Sequence, residues 1–191
     1  ADYIRLPDYI EKKKDTGKIT IARYANLIEF ALLEHYGGTW IDSTVYLTDP
    51  IPDMILNSDF FAVRNSLLLI DNPVLYPAWF LHAKKGNKTI REIRNVAFAY
   101  WLKNKHVIEY LLPNLIITLV VKSNPEFEQE IPYMNSDYSE YLVKAFADEY
   151  SEEKWNWIKK LTGIHELTYK LDAAVNRKDS FYQHIIAEKN K

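Results

Sequence analysis

The feature that most constrains this chain is a stretch that closes a helix, interrupts it with two glycines and starts a strand within a few positions. From Thr20, whose hydroxyl suits a helix N-cap, Tyr24, Leu27, Ile28, Ala31 and His35 recur at helical spacing and define one face, and Gly37 follows as a C-terminal cap. "TWI" then reads as a short buried strand closing at Asp42, and "TVYL" as its continuation or a second strand before the breaker "TDPIPD". Helix, glycine pair, strand and acid, in that order, set a carboxylate at the carboxyl end of a strand, where open α/β sheets hold ligands.

The rest of the chain reads more plainly. The first 18 residues form a polar lead-in with a turn around Asp15 to Gly17. "DFFAVRN" and "LLLID" have strand character, and "NPVLYPAWFLHAKKG" reads as a shaped loop entering a helix over Thr89 to Lys103. "LLPNLIITLVV" fits helix or strand, and "KSNPEFEQEIPYMNSDYSEY" is the most loop-like segment. "YLVKAFADEY" and "SEEKWNWIKKLTG" read as helices, the second capped by Ser151 and ended by Gly163. No repeat and no domain boundary is visible, so the 191 residues read as a single α/β domain with a helical C-terminal portion.

Composition narrows the function. A net charge of −2 with 24 scattered Lys and Arg residues gives no basic stripe, which argues against nucleic acid as a partner. The absence of cysteine excludes a disulfide framework, a zinc-thiolate site and a cysteine nucleophile, and is compatible with a reducing compartment. The longest apolar run, near "NLIITLVV", is far below the roughly 20 residues of a spanning helix, and no signal peptide is visible after Ala1.

The chemistry concentrates around Asp42. Gly37 can take a left-handed, helix-ending conformation, and Gly38 lets the backbone turn sharply and leaves room for a ligand. Asp42 could ligate a hard divalent cation that neutralises a departing nucleotide diphosphate, the main electrostatic demand of sugar transfer. An Asp between a strand and a turn also fits a purely structural role. His165, between apolar neighbours in "GIHELTYKL", fits a hydrogen-bonded core or loop residue, and Lys170 a solvated one. Trp155 reads as core and Trp79 as either core or a sugar-stacking face. His82, His106 and His184 have no metal-ligand spacing. A glycoside hydrolase would need two carboxylates at a suitable separation, which the sequence does not identify.

Three segments resemble a known family. "ARYANLIEFALLEHYGGTWIDSTVYL" is similar to the core of the capsular polysaccharide synthesis proteins, within the wider DXD-type sugar transferases. "FLHAKKGN" followed by Tyr100 and Trp101 resembles the family's middle, and "GIHELTYKL" its closing motif, usually I-H-K-L-T-Y-K. The resemblance implies a nucleotide-diphospho-sugar transferase-like fold of GT-A type. It also implies a base-binding region ahead of this chain's first residues, so the chain reads as truncated at its N-terminus.

The implied activity is transfer of a sugar, with retention or by a related route, from a nucleotide-sugar donor to a glycan or lipid-linked acceptor in capsular or other surface polysaccharide synthesis. The implied setting is bacterial and cytoplasmic, at the inner face of the membrane in peripheral association with the assembly machinery. The implied cofactor is a divalent cation, manganese or magnesium, at Asp42. Thr44 stands where the wider superfamily has its second acid. The usual S-D-x-x-R on the helix reads Ala25, Asn26 and Glu29, so an anion replaces a cation that would face a diphosphate. Asn26 and Glu29, three apart on a helical face away from the apolar stripe, could still look into the donor pocket beside Gly37, Gly38 and Thr44. His165 and Lys170 would close it, Lys170 matching the final Lys of the motif and Glu166 replacing its first. The competing expectation is a catalytically degenerate member that binds glycan or scaffolds the assembly machinery.

Overall fold

The computed structural model describes residues 4–66 and 73–187. In chain order its elements are α1 (Asp8–Asp15), α2 (Ile21–Tyr36), β1 (Gly38–Ile41), β2 (Val45–Leu47), α3 (Asp53–Leu56), β3 (Phe60–Ala62), β4 (Phe80–Ala83), α4 (Lys88–Lys103), α5 (Leu112–Ser123), α6 (Pro125–Glu130), α7 (Tyr141–Lys144), α8 (Glu152–Leu161) and β5 (Ile164–Glu166). Short 3-10 turns at Ser136–Glu140 and Ala173–Asn176 and a π-type turn at Tyr182–Ala187 complete it. The chain divides into two compact units, Ala1–Ile41 with Asp53–Met134, and Asp42–Pro52 with Asn135–Lys191.

The first unit is built on amphipathic helices, α2 and α4 the longest of them. The Thr20 hydroxyl caps α2 by accepting from the Arg23 N–H at 3.4 Å, and Leu27, Phe30, Ala31 and Leu33 turn inward. Asn87 caps α4 through its Oδ1, which accepts from the N–H groups of Thr89 at 2.8 Å and Ile90 at 3.1 Å. Ile90, Ile93, Ala97 and Trp101 then line the buried face of α4 at the spacing a 3.6-residue helix requires. Glu34 of α2 ties the two helices together, accepting from Arg91 and Arg94 of α4, each at 3.2 Å. In the sheet, β4 lies between β1 and β3 and is antiparallel to both, with Trp40 opposite Leu81 and Phe61 opposite His82.

Several expectations change here. The polar lead-in contains α1, because Ile10 is fully buried and one inward side chain per two turns suffices to dock a short helix. "FLHA" is a strand rather than a loop. All four of its residues are buried, so it shows no alternation for the eye to find. "LLPNLIITLVV" is the helix α5, and α6 sits inside the segment read as loop. The strand expected at "LLLID" falls outside the described residues.

The second unit pairs β2 with β5, antiparallel, in the register Val45 opposite Glu166, Tyr46 opposite His165 and Leu47 opposite Ile164. Leu142, Phe146, Trp155, Ile158 and Phe181 form its core, which confirms Trp155 as an interior residue. Ser151 caps α8 as expected, its Oγ accepting from the Lys154 N–H at 3.3 Å. Gly163 does not end that helix in a left-handed conformation. It leaves space instead, because a Cβ there would lie 2.6 Å from the Cβ of Asp49. Of "YLVKAFADEY" only Tyr141–Lys144 is helical.

The fold is therefore mixed α/β, as expected in that coarse sense, but the two sheets among the described residues are small and antiparallel. β4 runs antiparallel to both of its neighbours, so among the described residues this sheet has no parallel pair.

Candidate functional site

The residues singled out in the sequence fall into two groups, one in each unit. In the first unit, Gly37 has φ +72° and ψ −170°, a region open essentially to glycine alone. A Cβ at Gly37 would come within 2.5 Å of the Lys85 nitrogen and 3.0 Å of the Ala83 oxygen, so this glycine admits the chain's own backbone after β4. Gly38, at φ +105°, has open space where its Cβ would be.

Asn26 is half-buried and donates from Nδ2 to Glu29 Oε2 at 3.2 Å. Glu29 is 0% exposed. The expectation that it lies on a face turned away from the apolar stripe is corrected by this burial. The residue falls between Leu27 and Phe30 in a part of α2 that is enclosed nearly all round.

In the second unit the two motif segments that flank the resemblance lie side by side. The β2–β5 ladder continues past its ends, with Leu167 N donating to Thr44 O at 2.9 Å and Thr48 N to Gly163 O at 3.0 Å. Val45 N donates to Asp42 O at 2.9 Å, so Asp42 opens a tight turn directly into β2. At this edge of the ladder lies a pocket of about 320 Å³, at the small end of the range for small-molecule sites. Ser43, Thr44 and Thr168 line it with hydroxyls, Tyr46 and Tyr169 with aromatic rings, and Ile185 closes an apolar side. Beyond β5 the Thr168 hydroxyl accepts from the Lys170 N–H at 3.0 Å, turning the chain so that Tyr169 and Lys170 face solvent. The Lys170 ammonium sits 5.8 Å from the Tyr169 ring centroid.

His165 does not line this pocket. It is 0% exposed, with its ring 6.2 Å from that of Tyr46 and 6.1 Å from that of Trp155. Its Nε2 pairs with Thr48 Oγ1 at 3.1 Å, while no described protein atom bonds Nδ1. Burial pushes its pKa down to about 4, against a small opposing pull from Asp49, so the imidazole is neutral at neutral pH.

Glu166 is the residue the sequence reading passed over. Strand alternation turns it to the face opposite His165, beside Ile164. Burial, and then the like charges of Glu140 and Asp42, raise its pKa to about 7. Its one sequence signal was the acid standing where the resembling motif has lysine. Among the described residues no group of three or more His, Asp or Glu side chains could hold a metal ion. A magnesium-type site needs only one or two protein carboxylates when substrate phosphates supply the remaining oxygens, and Asp42 has that chemistry.

Residues 1–185 match the family model of capsular polysaccharide synthesis protein. No curated protein matches the chain. The match covers nearly the whole sequence, so the chain belongs to the capsular polysaccharide synthesis protein family, which suggests a role in capsule biosynthesis.

Proposed function

We propose that this member of the capsular polysaccharide synthesis family is a glycosyltransferase, moving a sugar from a nucleotide-sugar donor to a glycan or lipid-linked acceptor. The observation that carries the reading is the β2–β5 ladder, which sets Ser43 and Thr44 beside Thr168 and Tyr169 around one pocket, with Asp42 and Lys170 the next residues along the chain on either side. Hydroxyls and aromatic rings together suit a sugar, whose polar edges take hydrogen bonds while its C–H faces stack on rings.

Asp42 would hold a divalent cation together with the donor's phosphates, and that cation would supply charge neutralisation at the leaving diphosphate. Lys170, exposed beside the pocket-lining Tyr169, would add a second positive charge that can approach phosphate. His165 acts on this reading as a positioning residue. Neutral and enclosed, it spaces Tyr46 from Trp155 and fixes the strand that leads into Thr168 and Tyr169. On this reading the helix, glycine pair and strand leading to Asp42 would correspond to part of a GT-A type arrangement.

The test is donor turnover with manganese or magnesium, measured as release of nucleoside diphosphate from a panel of nucleotide sugars. Wild type should turn over at least one donor, and Asp42→Asn should lower the rate by about a hundredfold or more, as expected when a group stabilising transition-state charge is lost. Equal rates for the two proteins would remove Asp42 from the chemistry.

A second reading has its own support. Glu29 occupies the place of the family's arginine and is fully buried, so it offers no cation to a diphosphate. On that reading the chain binds glycan without turnover. Saturable binding of oligosaccharide with no nucleoside diphosphate released from any donor would favour it.

A further inference from the structure

The geometry points to a lipid-docking face: the connection between α4 and α5, together with the start of α2, docks on an anionic membrane surface. Six large apolar side chains lie exposed there, Ile21, Leu102, Val107, Ile108, Tyr110 and Leu111. Ile21 is 86% exposed, Ile108 78% and Tyr110 70%. A soluble chain does not normally leave so many large apolar groups in one place without a partner.

The segment is held in shape. The Tyr100 hydroxyl accepts from the Ile108 N–H at 3.1 Å and donates to the His106 carbonyl at 2.6 Å. Lys13 of α1 donates to the carbonyl of Asn104 at 2.8 Å and also to that of Trp101, which fixes the point where α4 ends. The Arg23 guanidinium lies 4.9 Å from the Tyr110 ring centroid, joining the start of α2 to the connection. Val107 and Ile108 are thereby presented at a bend rather than folded back on the core.

Charge selects the partner. Lys18, Lys103 and Lys105, each within a few residues of one of these side chains along the chain, are exposed, and Arg23 is half-exposed against the Tyr110 ring. The acid within the connection, Glu109, turns its Oε1 toward the Leu111 N–H at 3.4 Å. Asp15, the nearest acid ahead of Lys18 in the chain, is paired with Lys14 at 3.3 Å. A locally cationic face on a chain of net charge −2 complements an anionic surface.

The choice between lipid and protein follows from residue type. Protein–protein interface cores are depleted in lysine, whereas at a bilayer surface lysine stems lie along apolar groups with their ammonium heads in the phosphate layer. Tyrosine belongs at the same depth, its ring in the apolar boundary and its hydroxyl in water. No helix among the described residues is long and apolar enough to cross a membrane; the proposed contact is one of side chains with the bilayer surface. The inference holds whether or not the chain transfers sugar.

The full chain should be spun down with vesicles of equimolar phosphatidylcholine and phosphatidylglycerol, and in parallel with vesicles of phosphatidylcholine alone. Binding to the first and far less to the second, weakening as salt is raised, is the expected result. Lys103→Gln with Lys105→Gln should lower the partition coefficient about 25-fold, at about fivefold per charge. Ile108→Asp should lower it by about tenfold or more, the cost of withdrawing one aliphatic side chain from the boundary. These positions are exposed, and circular dichroism verifies that each variant is folded. Absence of binding, equal binding to both vesicle types, or variants that bind like wild type would overturn the inference. So would concentration-dependent self-association abolished by Ile108→Asp, which would identify a second copy of the chain as the occupant.

Discussion

Glu166 and His165 are neighbours on one strand with pKa values displaced in opposite directions, and this makes the stability of the second unit respond to pH in a calculable way. Glu166 rises from an ordinary 4.5 to about 7 in the folded protein. Between these values the folded state holds a proton that the unfolded state has lost, so stability is full below about pH 4.5 and falls as pH rises through about 7. The gap corresponds to ~3 kcal/mol, reduced to ~2 kcal/mol because the side chain is partly exposed. His165 falls from 6.5 to about 4, so the unfolded state binds the extra proton and stability falls as pH drops from 6.5 toward 4. The two slopes oppose each other over their shared range, and wild type should be nearly flat there.

Glu166→Gln removes one slope. At about pH 8 the variant should be more stable than wild type by ~2 kcal/mol, and the difference should vanish toward about pH 4. Urea unfolding at fixed ionic strength, read from fluorine-labelled Trp155 and Trp157, reports on this unit specifically. A difference that does not change with pH, or a variant less stable than wild type at the alkaline end, would refute the burial and like-charge reasoning.

Two further perturbations separate packing from conformation. Gly37→Ala must place a Cβ against backbone atoms of Ala83 and Lys85 in a conformation reserved for glycine, and should cost ~4 kcal/mol, whereas Gly38→Ala meets open space and should cost ~1–2 kcal/mol from its positive φ alone. Melting temperatures would show this as a drop about two to four times larger for the first variant. Thr118→Val keeps the shape of α5 but deprives the Leu75 and Tyr76 N–H groups, now bonded to the Thr118 hydroxyl at 3.0 and 3.1 Å, of their acceptor. It should destabilise the first unit by ~2–4 kcal/mol in urea titration, while Thr118→Ser should cost much less.

Helices whose signals are local were legible in advance. Thr20 and Ser151 announced their helices because a capping hydroxyl and the first free N–H groups are a few residues apart. β4 was not legible, because a strand buried on both faces carries no alternation, and α1 was not, because its docking depends on Ile10 finding a core made by distant residues. At the candidate site, Asp42 and Thr44 were singled out by their neighbours in sequence, and Lys170 by the motif it closes. The pocket beside them was invisible, since it needs Ser43 and Thr168 brought together by a strand pairing 125 residues apart in the chain, Thr44 O receiving Leu167 N only once both turns have formed.

The sequence by itself determined the family, the capped helices and the glycine pair that frees the chain before Asp42, because each depends on residues adjacent or one turn apart. Tertiary structure alone decided which side chains water can reach. It enclosed Glu29 and His165, raised Glu166 by setting it among buried and like-charged neighbours, and left Ile108 and Tyr110 outside. Solvation and charge interaction act through space, and the distances that set them are fixed only when remote segments pack.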